Sequence, residues 1–178
     1  MAKLIVIVGM GGSGKSKLCD EIVSSQKAVA FKDATLTNCD RRRAGYDCLG
    51  EIVARLLRCN ENCVMDEAHL TNADFRRTFK GFCDEFLGGV EQEWVFFEND
   101  ALGCINNVFH DATRGRVESS RFKSLANQIP HYIVPPPGEY PGHKEARPVF
   151  RQPGPKFNRR EDALEWLHRK IEELGNER

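Results

Sequence analysis

The chain carries no net charge: its 26 lysines and arginines balance its 26 aspartates and glutamates over 178 residues. That balance, with an ordinary apolar fraction, indicates globally neither a protein whose whole surface coats a polyanion nor a disordered tail. No segment approaches membrane-spanning length, since the β-branched run "LIVIV" at 4–8 gives way at once to glycines. The same run is too short for a secretory leader and meets no cleavage site, so a cytoplasmic protein without a membrane partner is expected. The cysteines, seven in number, show no repeated close pair, and reduced thiols fit that setting. Cys59, Cys63, His69 and Cys83 match no compact zinc spacing. There is no internal repeat and no length for a second sizeable core, so a single domain spanning 1–178 is expected.

What is present alternates between strand and helix patterns. "KLIVIV" at 3–8 reads as a strand buried on both faces. "GMGGSGKS" follows it, then a helix with Leu18, Ile22 and Val23 on one side. "AVAFK" at 28–32 is a second strand, and 47–58 has Leu49, Ile52, Val53, Leu56 and Leu57 at helical spacing. "NCVM" supplies a third strand running into Asp66. Thr71 and Asp74 resemble a capping pair for a helix whose Phe75, Phe79, Phe82 and Phe86 are expected in the core until Gly88-Gly89 ends it. "EWVFFE" at 93–98 is a fourth strand, followed by the helix "ALGCINNVFH". A short helix near 119–129 leads to "YIVPPPGEYPG", whose prolines require an irregular connection. "ARPVFR" is expected to be a fifth strand, and "EDALEWLHRKIEEL" a terminal helix with Leu164, Leu167, Ile171 and Leu174 inward. The pattern predicts a three-layer α/β/α fold with a mostly parallel five-stranded sheet.

"GMGGSGKS" has the form of a phosphate loop, with Gly9, Gly11, Gly12, Ser13, Gly14, Lys15 and Ser16 as the nucleotide-binding residues. Its glycines let successive backbone N–H groups turn toward a β-phosphate, and the following helix adds its positive end. Lys15 is expected to lie in solvent until it reaches the β- and γ-phosphates, while the Ser16 hydroxyl binds Mg²⁺. The stretch "NCVMDEAHLT" contains the letters of a helicase box, but a motor needs a second nucleotide-binding module for which the chain has no room. Asp66, ending a buried strand, is instead expected to hold the magnesium ion through water. Glu67 could polarise an attacking water or assist the metal site, and His69 is expected to cap or pack. Asp33 follows the second strand at the carboxyl edge of the sheet, where it could accept a proton from an acceptor hydroxyl or serve as a turn residue.

This order of motifs resembles the P-loop kinases: a phosphate loop, an aspartate after strand two, a strand-ending aspartate, a helix and an arginine-bearing loop. "VFFENDALGCINNV", then "RGRVESSRFKSL" and "YIVP", look most like the polynucleotide 5′-hydroxyl kinase group and its zeta-toxin-like relatives, over about residues 1–135. The resemblance implies that 112–121 is a lid whose Arg114, Arg116 and Arg121 stabilise the transferring phosphoryl group, and that Asp33 is the base. It departs at "FKDATLTNCDRRR", where the second acid and nearby arginine usual around that base are not in place and Arg41–Arg43 come only later.

The function expected is therefore ATP-dependent, Mg²⁺-assisted phosphoryl transfer to a hydroxyl of a nucleic-acid or nucleotide-like acceptor, DNA or RNA. A basic tract at 141–160, with Lys144, Arg147, Arg151, Lys156, Arg159 and Arg160, could meet such an acceptor or be a solvated surface. Kinases of hydroxymethylated bases in DNA, small-metabolite kinases and a switch ATPase using Glu67 are the alternatives.

Overall fold

The computed structural model describes residues 1–32, 50–117, 119–154 and 156–176. The expectations that fall on Asp33, on Arg41–Arg43 and on the start of the 47–58 helix lie outside these residues. Strand β1 (Lys3–Val8) alternates its side chains between two apolar layers, as a run of β-branched residues covered on both faces should. Leu4, Val6 and Val8 join the larger core, while Ile5 and Ile7 meet Leu18, Cys19 and Ile22 of helix α1 (Lys15–Gln26) on the other face.

Strands β2 (Val29–Lys32), β3 (Cys63–Asp66) and β4 (Glu91–Phe96) pair parallel in the order β2-β3-β1-β4, with Ile7 in register with Asp66 and Lys32 also in register with Asp66. This register brings the carboxyl ends of β1 and β3 side by side, where α/β folds bind ligands. The sheet has four strands among the described residues, not five. The expected fifth, "ARPVFR", contributes one parallel bridge, Phe97 to Arg147. Arg147 N donates to Phe96 O and its carbonyl accepts from Glu98 N, but Pro148 has no N–H with which to extend the ladder.

Residues 50–53 are helical and continue into a π-helical turn, Ala54–Arg58. After β3 a short 3-10 turn (Ala68–Thr71) leads to helix α2 (Ala73–Phe86). Its cap is Asn72 and not the Thr71/Asp74 pair: Asn72 Oδ1 accepts from the N–H groups of Asp74 and Phe75, while the Thr71 hydroxyl donates to Ala68 O. Only part of the phenylalanine row is core. Phe79 is buried against Trp94 and Phe82 is half-buried, but Phe75 and Phe86 are exposed. The row is wider than the face that the helix turns toward the sheet.

Helices α3 (Ala101–Ala112), α4 (Ser119–Gln128) and α5 (Arg160–Asn176) lie on the side of the larger core. Trp166 of α5 meets Phe109 of α3, Phe122 of α4 and Phe157 in ring contacts of 5.0, 5.7 and 5.8 Å. Each such contact contributes roughly 0.5–1.5 kcal/mol beyond burial of the rings. Together they fasten α4 to the body of the fold. Among the described residues no helix is long and apolar enough to cross a membrane.

Candidate active site

The turn between β1 and α1 has the backbone that its glycines predict. Gly12 and Gly14 have φ of +83° and +102°, conformations that favour glycine. A Cβ at Gly12 would sit 2.5 Å from Cys104 O, and one at Gly14 would sit 2.7 Å from Phe150 Cβ. Gly14 begins α1 without a side-chain cap, so the first N–H groups of the helix are left to an anion. Ser13 is fully buried beneath the loop.

At the helix start the Ser16 hydroxyl donates to Asp66 Oδ2 at 3.0 Å. Lys15 Nζ lies 3.8 Å from Asp66 Oδ1 and donates to Met10 O at 3.3 Å. Lys15 is only 7% exposed, so the expectation that it stands in solvent is corrected. Its ammonium folds over the loop because the strand-ending carboxylate and a loop carbonyl both attract it. Ser16 and Asp66 together form an oxygen donor set that fits Mg²⁺, a hard cation that takes one or two protein oxygens and keeps several waters. The uncapped helix start and the glycine turn beside it fit a polyphosphate.

Glu67 is buried and accepts from His69 N at 3.0 Å, capping the 3-10 turn. His69 is exposed and rests near the Phe75 ring, 5.8 Å between centroids.

A cleft of about 260 Å³ opens over the loop. One wall is Gly11, Gly12 and Gly14–Lys17 with Asp66 and Ala68; the other combines Asn107, Val108 and Asp111 of α3, Arg121, Ser124 and Gln128 of α4, and Phe150 and Gln152. Of the arginines expected in a lid, Arg121 alone lines the cleft. Arg114 and Arg116 occupy an exposed turn after α3, held by N–H bonds from both to Asp111 O. Of the described residues in the segment 112–121, residue 112 ends α3 and 119–121 belong to α4; a lid there is not shown.

The opposite wall was missed in the sequence. Asn107, buried in α3, donates to Gly12 O at 2.7 Å and to Phe150 O, and its Oδ1 accepts from Gln152 N at 3.0 Å. Phe150 N donates to Ser13 O at 3.0 Å, and Lys17 Nζ sits 3.7 Å from the centre of the Phe150 ring. Gln152 Nε2 donates to Asp111 Oδ1 at 3.1 Å. One signal was available: Asn107 interrupts the apolar face of "ALGCINNVFH", and a buried amide there needs partners.

Two side chains of the basic tract at 141–160 are paired within the fold. Arg151 is ion-paired with Asp100, the cap of α3, and Arg159 forms two bonds to Asp162.

No protein-family model and no curated protein matches the chain. Among solved structures, a gluconokinase from Sinorhizobium meliloti 1021 is similar at 22% identity, with 98% of this chain and 97% of that chain covered and a TM-score of 0.56. A kinase-like protein from Chloroflexus aurantiacus j-10-fl is similar at 14% identity over 98% and 97% of the two chains, with a TM-score of 0.48. The chain shares the fold of the first, an α/β fold built on a parallel sheet.

Proposed function

We propose that the chain, acting as a single domain, is an ATP-dependent kinase that transfers the γ-phosphoryl group to a hydroxyl. The observation that carries this reading is the cluster of Ser16, Asp66 and Lys15 at the open start of α1, with Ser16 Oγ 3.0 Å from Asp66 Oδ2. Bound there, Mg²⁺ would supply charge neutralisation on the β- and γ-phosphates. Lys15 and the N–H groups of the loop hold the phosphates in line. Arg121, facing them from α4, meets the charge that develops on the transferring group. The acceptor oxygen bonds to the γ-phosphorus as the bond to the leaving ADP oxygen breaks, and the acceptor proton passes to the carboxylate of Asp33.

The capping role of Glu67 supports a kinase over a switch ATPase, since its Oε1 is engaged by His69 N. For the acceptor, a nucleic-acid or nucleotide-like hydroxyl, including hydroxymethylated bases in DNA, rests on the basic tract and on the resemblance of the sequence to polynucleotide kinases. A small hydroxylated metabolite is the second reading, favoured by the internal pairing of Arg151 and Arg159 and by the likeness to a gluconokinase. Buried thiols at Cys63, Cys83 and Cys104, outside any disulfide, fit a cytoplasmic setting.

The test supplies γ-labelled ATP with a panel of DNA ends, RNA ends, hydroxymethylated DNA, nucleosides and sugar acids. Label on any of these supports the kinase and names its acceptor; label only in inorganic phosphate overturns it in favour of the ATPase. Asp33→Asn is expected to cut transfer by roughly 10² to 10⁴ while ATP binding holds, the usual contribution of a positioned base. A switch ATPase would respond to Glu67→Gln instead.

A further inference from the structure

Among the contacts that couple the two walls of the cleft, one joins α4 to the loop. Gly11 N donates to Gln128 Oε1 at 2.7 Å, across 117 residues of sequence. Gln128 is 8% exposed. Its amide is held from the other side, where Nε2 lies 3.1 Å from Ser124 Oγ. The orientation of the amide follows from chemistry: Gly11 N–H can only donate, so the oxygen must face it and the NH₂ must turn to the serine.

The positions along α4 matter as much as the bond. Arg121, Ser124 and Gln128 recur at three and four residues, which puts them on one face of the helix, and all three line the cleft. Phe122, Leu125 and Ile129 turn into the core. The core contacts hold α4 against α5, but they are apolar and non-directional. The Gly11–Gln128 bond is directional and ties the cleft-facing side of α4 to the loop itself.

On the kinase reading above, we infer that Gln128 is a positioning residue: it sets the height of α4 against the phosphate loop, and through it the reach of Arg121 toward the transferring phosphoryl group. Gln128 touches no reacting atom in this role. It acts through Arg121, whose contribution depends on where the guanidinium stands when charge develops on the phosphoryl oxygens.

The experiment compares Gln128→Met, which keeps size and removes the acceptor, with Gln128→Glu, which keeps an acceptor oxygen but brings negative charge into an anion cleft. For each, kcat and the ATP Kd are measured, and exchange of the Gly11 amide is followed by NMR. Gln128→Met is expected to speed Gly11 exchange and to lower kcat by about 10- to 100-fold, the scale of a misplacement near an ångström, with ATP Kd changed by less than about threefold. Gln128→Glu is expected to restore Gly11 protection while weakening ATP binding. In an Arg121→Ala background the Gln128→Met loss should shrink to under about threefold, because the group it misplaces is already gone. Equal fold-losses in both backgrounds, a wild-type kcat in Gln128→Met, or unchanged Gly11 exchange would each overturn the role. A wild-type protein that transfers no phosphate overturns the kinase reading and this role together, whereas transfer unaffected by Gln128→Met overturns this role alone.

Discussion

The two walls of the cleft are built in opposite ways. The loop wall comes from one short stretch within 11–17, completed by Asp66 from the neighbouring strand in register with Ile7. The facing wall is gathered from α3, α4 and the 149–152 segment, and it is held by single side-chain bonds such as Asn107 to Gly12 O and Gln128 to Gly11 N. The cradle is a property of local backbone; the facing wall is a property of packing. Residues of the first are expected to fail abruptly when changed. Those of the second should divide into groups that touch the phosphates and groups that only hold others in place.

The sharpest break of that contrast is expected at the two cations. Lys15→Ala should lower transfer by about 10³-fold or more, as loss of a phosphate-contacting cation does in phosphoryl transfer. Arg121→Ala should cost a similar factor of about 10³ in kcat, against less than about tenfold for Arg114→Ala or Arg116→Ala, because only Arg121 lines the cleft. Steady-state kinetics with the labelled acceptor measure both. If Arg116 proves the costlier loss, the exposed turn after α3 closes over the phosphates and the anchored α4 is not the catalytic side.

Asp66→Asn comes next. It should weaken ATP binding in magnesium by roughly tenfold and flatten the dependence of affinity on magnesium, since an amide oxygen carries no charge for a hard cation. A titration of ATP affinity against magnesium in the wild-type and variant proteins checks this.

Asn107→Asp tests the facing wall as scaffold. It removes the donors to Gly12 O and Phe150 O and sets a carboxylate against two carbonyls, so a loss of about 1–3 kcal/mol in unfolding free energy is expected. Denaturant melts report it. Because the Asn107 amide is engaged by Gly12, Phe150 and Gln152, kcat in the folded variant should fall less than in Arg121→Ala.

The smallest effect concerns thiols behind the cradle. Burial pushes the Cys104 and Cys83 thiols up to about 12 and Cys63 up to about 11, from 9.0. These groups therefore keep their protons in the folded protein while the unfolded chain releases its own. The stability they contribute is complete below about pH 9. It declines as pH rises from there through about 11 to 12. Alkylation at pH 8 should mark exposed Cys59 and leave these buried thiols intact until denaturant is added.

How much of this was legible can be judged at particular residues. The strand, loop and helix from Lys3 to Gln26 could be read directly, because positive-φ glycines, an uncapped helix start and a β-branched run are local requirements. Asp66 could be read because a strand's end is visible in its apolar pattern. The fifth strand could not: "ARPVFR" alternates like a strand, yet Pro148 leaves it a single bridge. The phenylalanines of α2 share a helical spacing, but spacing does not say how wide a face the sheet will cover, and Phe75 and Phe86 remain exposed.

By itself, then, the sequence determined the alternating α/β pattern, the glycine turn after β1 and the position of Asp66 at the end of β3, since each can be read from residues within a turn or strand of one another. Tertiary structure alone decided that Lys15 is folded onto Asp66, that Arg121 faces the cleft while Arg114 and Arg116 do not, and that Asn107 and Gln128 hold the loop. Those outcomes depend on where α4 and the 149–152 segment come to rest. Their places are set by Trp166 packing between Phe109 and Phe122 and by hydrogen bonds joining residues 117 and 95 positions apart. No spacing in the chain encodes such contacts, because they form only once the helices have docked.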